Sequence, residues 1–186
     1  MIIAEIGLSH DGSLGTAHAY IDALANTGID AIKFQTHIAD AESSIEEQFR
    51  VPFSKQDKSR IDYWSRTSFK EREWFGLKSH CDELNLMFFS TPSCLKAVDL
   101  LEKLNVTHYK VGSGDTSNLL LLKRIGETKK PIILSTGMST YDEIESSVNF
   151  LKKYRNPLTL MQCTSQYPTS PKEWGFNVIK ELKNKF

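Results

Sequence analysis

The stretch ILSTGMS, residues 133–139, begins as an apolar run suited to a buried strand and turns abruptly into hydroxyls and glycine. The same ending recurs in IKFQTH (32–37), MFFSTPS (87–93), YKVGSGD (109–115) and LMQCTSQYP (160–168). Comparable hydroxyls fall at Thr91, Ser113, Ser135 and Thr164, at intervals of 22, 22 and 29 residues. That interval is about the length of one strand–helix repeat.

The segments between these runs carry helical periodicity. Leu14, Ala17, Ile21, Leu24 and Ala25 recur at helical spacing, and Gly28 follows as a stop signal. The pattern predicts strands at 2–6, 31–35, 86–90, 108–112, 131–135 and 158–163. Helices are predicted at 14–26, 69–84, 94–103, 118–127 and 140–153, with a last one near 173–184. Strands alternating with helices in this way predict an α/β fold with a parallel sheet covered by helices. In such folds ligands sit at the carboxyl ends of the strands. The polar strand endings therefore belong to one functional face, rich in hydroxyls, lysines and turn N–H groups that suit an oxyanion.

Composition narrows the partners. The 186 residues suit one domain, and 23 Lys plus Arg balance 23 Asp plus Glu, so no net field favours nucleic acid or an anionic membrane. Cys81, Cys94 and Cys163 lack metal-ligand spacing and read as reduced thiols of a cytoplasmic protein. No run of 18 apolar residues occurs, and MIIAEIG lacks the features of a secretion signal.

Simpler roles compete with function at each position. A lone Ser or Thr after a strand, such as Ser90, Thr91, Ser135 or Thr136, is most simply the N-cap of the next helix. His10, His18 and His108 read as surface or satisfied histidines, whereas His37 follows a strand end and is a more open case. The charged segment 40–73 reads as a solvated excursion long enough to form a lid. Lys33, Lys110 and Glu5 resist such readings, because an unpaired charge on a core strand is costly.

Six motifs in order now resemble those of the N-acetylneuraminate (sialic acid) synthase family: Glu5-Ile6-Gly7 with His10 and Gly12, Lys33-Phe34-Gln35-Thr36, Ser90-Thr91-Pro92, Lys110 through Gly114, Pro131 through Met138, and Cys163 through Pro168. The resemblance implies a (β/α)8 TIM-type barrel, for which residues 1–186 supply about six strand–helix units as its N-terminal part. The antifreeze-like C-terminal domain of the family is expected to lie outside this stretch. The implied reaction condenses phosphoenolpyruvate with an N-acetylated hexosamine such as N-acetylmannosamine; water attacks carbon 2, the C–O bond breaks, and phosphate leaves with a nonulosonic acid. Lys33, Thr91, Lys110, Ser113 and Ser135 resemble the phosphoenolpyruvate-binding set, and Gln35 and Tyr167 the sugar contacts. Glu5, Asp115 and Lys33 are the implied catalytic residues.

Two positions depart from the family. Asp115 stands where the family usually has Glu, and Ser165 where some members have Asn; both bear on which sugar is accepted. A divalent metal, Mn2+ or Mg2+, is implied as cofactor, with histidine ligands expected beyond Phe186, and on that ground the isolated chain is expected to be inactive. Small-molecule substrates, no nucleic acid, no membrane, and homo-oligomerisation or dependence on a further C-terminal segment complete the implied partners. A non-catalytic phosphoenolpyruvate-binding module, and a Schiff-base aldolase using Lys33 or Lys110, are the alternatives.

Overall fold

The computed structural model describes residues 1–49 and 51–186. The chain forms two compact units, Met1–Thr107 and His108–Phe186.

In the first unit β1 (Ile3–Gly7), β2 (Ala31–Thr36) and β3 (Met87–Pro92) are hydrogen-bonded side by side, all parallel. The register sets Glu5 opposite Lys33 and Gln35 opposite Thr91, with an irregularity between Glu5 and Gly7. Every residue of β2 except Gln35 is buried, as expected of a parallel strand covered on both faces. Helix α1 (Leu14–Ala25) starts at Ser13, whose hydroxyl accepts from the Thr16 N–H, and buries Ala17 and Ile21. Helix α4 (Glu71–Glu83), which follows the short α2 (Ala39–Glu42) and α3 (Arg60–Thr67), buries Trp74, Leu77 and Cys81. Phe34, Trp74 and Phe88 meet ring to ring with centroids 5.6–6.2 Å apart, and α5 (Leu95–Lys103) covers β3 with Ala97, Val98 and Leu101.

Segment 40–73 is more than a solvated excursion. It holds α2 (Ala39–Glu42) and α3 (Arg60–Thr67), the latter opened by a reciprocal Ser59–Asp62 capping box. Phe49, Phe53, Tyr63 and Trp64 form their own aromatic cluster. Arg66 donates to both carboxylate oxygens of the nearly buried Asp57 at 2.8 Å and to Asp11 in the turn after β1. Within this stretch Arg60 pairs with Glu47 and Arg66 with Asp57, while Asp40, Glu46, Lys55 and Lys58 stay exposed.

The second unit repeats the plan with β4 (Tyr109–Val111), β5 (Ile132–Ser135) and β6 (Leu158–Met161), again parallel neighbours. A 3-10 turn, Ser113–Asp115, leaves β4 and leads into α6 (Leu119–Glu127), capped by Asn118. Helix α7 (Tyr141–Lys152) is capped by Thr140 with Glu143, and α8 (Phe176–Lys185) buries Leu182. Strand β6 ends at Met161, short of the expected Cys163, and α8 begins at Phe176 because Pro171–Glu173 form a separate 3-10 turn.

All six strands and the six helices expected from periodicity are present within a few residues of their predicted bounds. The capping expectation fails for the strand-end hydroxyls. Ser13, Ser59, Asn118 and Thr140 accept from helix N–H groups, whereas Ser90, Thr91, Ser135 and Thr136 bond elsewhere. No helix among the described residues is long and apolar enough to cross a membrane.

Candidate functional site

At the carboxyl end of β2, the Lys33 ammonium lies 2.7 Å from Glu5 Oε2 and donates to Thr91 Oγ1 at 2.9 Å. The side chain is only 8% exposed. Strand pairing explains the meeting: Glu5 is opposite Lys33 on β1, and Thr91 lies one pleat further on β3 on the same face. Burial lowers the Lys33 pKa below the ordinary lysine value, while the Glu5 carboxylate pulls it back up by charge and hydrogen bond. Glu5 keeps about half of its side chain in solvent, so it reaches from the core lysine to the open end of the strands.

Gln35 lies on the same face as Lys33. A Cβ built on Gly7, whose φ is +55°, would sit 3.2 Å from Glu5 Oε1 and 3.4 Å from Gln35 Nε2, so both side chains close over that glycine. Ser90 uses the opposite face, donating to the Phe34 carbonyl and sharing a 2.7 Å bond with Thr36. His10 belongs to neither surface nor site: it is 1% exposed among Phe34 and Phe69, its Nδ1 accepts from the Gly12 N–H, and its Nε2 has no hydrogen-bond partner among the described residues. Burial lowers its pKa to about 4.

The second unit builds a comparable group. The buried Lys110 ammonium donates to Ser135 Oγ at 2.5 Å and to the Val111 carbonyl at 2.8 Å. Ser113 Oγ accepts from the Gly137 N–H at 3.2 Å. Thr116 donates to the Ser135 carbonyl at 2.8 Å, and Ser147 to the Thr116 carbonyl at 2.7 Å. The turns after β4 and β5 are thus laced together around Lys110. Asp115 closes the 3-10 turn and accepts from Asn118 Nδ2 at 3.1 Å.

Ser165 packs beside Gly137, where a Cβ would lie 3.0 Å from its Oγ and 2.3 Å from the Cys163 carbonyl. Tyr167 stands 96% exposed on the segment after β6. Lys33, Thr91, Glu5 and Gln35 therefore share one cluster in the first unit, and Lys110, Ser113 and Ser135 share another in the second. Sequence reasoning did not reach two contributors: Thr116, and Glu42, which lay in the stretch read as solvated. His37, singled out only for its place after a strand, bonds Glu42 at 2.8 Å.

Chemically, each cluster offers a buried ammonium held by a hydroxyl, a setting for a phosphate or carboxylate, and the first adds a carboxylate for proton movement. Among the described residues, no three His, Cys, Asp or Glu side chains are grouped to hold a metal ion. A cleft of about 540 Å³ in the second unit is lined by apolar residues including Val148, Leu158, Leu160 and Ile179 and includes none of the candidate residues.

Comparison with known proteins bears on this arrangement. The chain is 34% identical over its whole length to the N,N'-diacetyllegionaminic acid synthase of Campylobacter jejuni, covering 58% of that protein. It is 31% identical to the N-acetylneuraminate-9-phosphate synthase of Drosophila melanogaster, covering all of this chain and 50% of that one. The crystal structure of N-acetylneuraminic acid synthetase from Leptospira borgpetersenii superposes on the whole chain with a TM-score of 0.86 at 31% identity, 61% of that chain being covered. The chain thus spans about half the length of the curated relatives it matches. Residues 20–186 match the sequence model of the NeuB family, which takes in five of the six strand ends with both Lys33 and Lys110: the chain belongs to the NeuB family.

Proposed function

We propose that this chain carries the phosphoenolpyruvate-holding part of a synthase that joins phosphoenolpyruvate to an N-acylated amino sugar. It does so within a (β/α)8 barrel to which it supplies six strand–helix units. One observation carries the reading: two strand-borne lysines, Lys33 and Lys110, are buried and each donates to a strand-end hydroxyl, Thr91 or Ser135. An ammonium anchored by a hydroxyl at a strand end suits an anionic group such as the phosphate or the carboxylate of phosphoenolpyruvate. The names of the two synthases compared above agree with this chemistry.

In the proposed reaction the enol carbon 3 of phosphoenolpyruvate bonds to the sugar aldehyde carbon, water adds at carbon 2, and the C–O bond to phosphate breaks. Lys33 and Lys110 neutralise the anionic groups. Glu5 is the carboxylate beside the reacting enol carbon, and Asp115 serves the sugar oxygen and the attacking water. Gln35, Ser165 and Tyr167 meet the sugar.

Titration calorimetry with phosphoenolpyruvate tests the assignment. Lys110→Ala is expected to weaken binding by about 1.5–3 kcal/mol, the range for hydrogen bonds to charged groups; an unchanged affinity refutes it. Binding by the complete protein without phosphate release for any N-acylated hexosamine, with or without manganese, would instead support a purely holding module. A second reading, a Schiff-base aldolase, draws on the burial that lowers the Lys33 pKa, the direction an amine nucleophile needs. Glu5 and Thr91 occupy that ammonium as a donor, which favours charge neutralisation. Borohydride trapping of pyruvate on Lys33 would reverse the preference.

A further inference from the structure

His37 follows Gln35 by two residues and shares its face at the end of β2. Its Nδ1 lies 2.8 and 3.0 Å from the two Glu42 carboxylate oxygens, and its Nε2 lies 3.3 Å from Gln35 Oε1. The His37 and Glu42 side chains are 10% and 8% exposed. The imidazole also stacks on Trp64 with centroids 3.9 Å apart and planes 5° from parallel. Ser68 donates to the His37 carbonyl at 2.9 Å, fixing the backbone as well. Few rings are held on so many sides without a reason.

Nδ1 faces only carboxylate oxygens and so donates to Glu42, while Nε2 faces the Gln35 amide at its Oε1. The consequence falls on Gln35. Its Oε1 faces His37, which leaves Nε2 over Gly7, where Glu5 Oε1 also closes in. Without His37 the amide could turn over and present its oxygen instead. Glu5 offers acceptors only, so a fixed Gln35 makes a neighbouring acceptor–donor pair, able to bind a hydroxyl and a carbonyl side by side. An N-acylated amino sugar carries that pair of groups.

We propose that His37 is a positioning residue: clamped by Glu42 and Trp64, it holds Gln35 as a hydrogen-bond donor and so tunes the site for the acylamino sugar. The proposal rests on the reading above that Gln35 meets the sugar. The alternative is that the His37–Glu42 pair only anchors the segment around α2 and α3.

NMR of the side-chain amide of Gln35 separates the two, because it needs no substrate. In the parent chain the heteronuclear NOE of that amide should match ordered backbone. His37→Phe keeps a flat ring against Trp64 but removes both ring nitrogens, and should drop the NOE to that of exposed glutamines such as Gln48. His37→Gln, which restores a donor at the place of Nε2, should retain the order. An ordered Gln35 amide in His37→Phe overturns the proposal. If the phenylalanine variant does not fold, Glu42→Gln serves, with loss of Gln35 order expected and full retention overturning the idea.

A second readout uses binding in the complete protein. His37→Phe should weaken N-acetylmannosamine binding roughly tenfold, about one hydrogen bond's worth, with phosphoenolpyruvate affinity within about twofold. Equal loss of both ligands overturns the proposal in favour of simple anchoring. If Gln35→Ala binds the sugar as well as the parent, the sugar-contact reading fails, while the NOE still judges the His37–Gln35 link.

Discussion

His10 is a buried imidazole with one nitrogen satisfied by the Gly12 N–H and the other unpartnered among the described residues. Burial lowers its pKa from 6.5 to about 4. Between those values the unfolded chain binds more protons than the folded one, so stability rises with pH across this window and is lost as pH falls through it. We expect urea unfolding to report a loss on the order of 2–3 kcal/mol between pH 6.5 and 4 from this residue. In His10→Asn, whose Oδ1 can keep the Gly12 bond, that part of the pH dependence should vanish; an unchanged slope would refute the assignment. Lys33 and Lys110 could be singled out from sequence because an ammonium amid apolar strand residues is anomalous under any structural reading. The burial of His10 could not, since the Phe34 and Phe69 that enclose it come from β2 and the connection between α3 and α4.

Two turns carry steric tests. Gly12 has φ +82°, and a Cβ there would lie 2.3 Å from the Arg66 carbonyl, so the turn after β1 and the end of α3 touch backbone to side-chain position. Gly137 has ordinary backbone angles, yet its Cβ would lie 2.3 Å from the Cys163 carbonyl. Overpacking of this kind costs about 1–3 kcal/mol, and the positive φ adds roughly 1–2 kcal/mol at Gly12. We therefore expect Gly12→Ala to lower stability more than Gly137→Ala in denaturant melts. Gly137→Ala should also weaken phosphoenolpyruvate binding, because it moves the N–H that Ser113 accepts; tight binding in that variant would separate the turn from the site. Periodicity located these turns, but the identity of the facing carbonyls came from the packing of segments far apart in sequence.

Charge and exposed surface together govern how the protein behaves in solution. Equal numbers of acidic and basic residues give no net charge at pH 7, so electrostatic repulsion between molecules is weakest there. The apolar cleft along β6 and α8 leaves Ile179 and Phe186 half exposed, and contiguous patches of this kind favour association. Sedimentation velocity should show self-association strongest near pH 7 and reduced at pH 9. Ile179→Glu should suppress it throughout, and a monomer at all pH values would exclude this patch as a driver.

Alternating strand and helix signals, the polar strand endings and the order of the motifs were legible from residue types alone, because periodicity and the cost of burying charge act locally. They located β1 to β6, the six main helices, Glu5, Lys33, Lys110, Ser113 and Ser135. In segment 40–73, read as a solvated excursion, many charges are exposed as expected, but Arg66 pairs with Asp57 and Glu42 with His37 just before the segment. Whether a charged residue is solvated or paired depends on partners many residues away, and only the folded chain brings those partners together. For the same reason, the clamp on Gln35 and the isolation of His10 are properties of the tertiary structure.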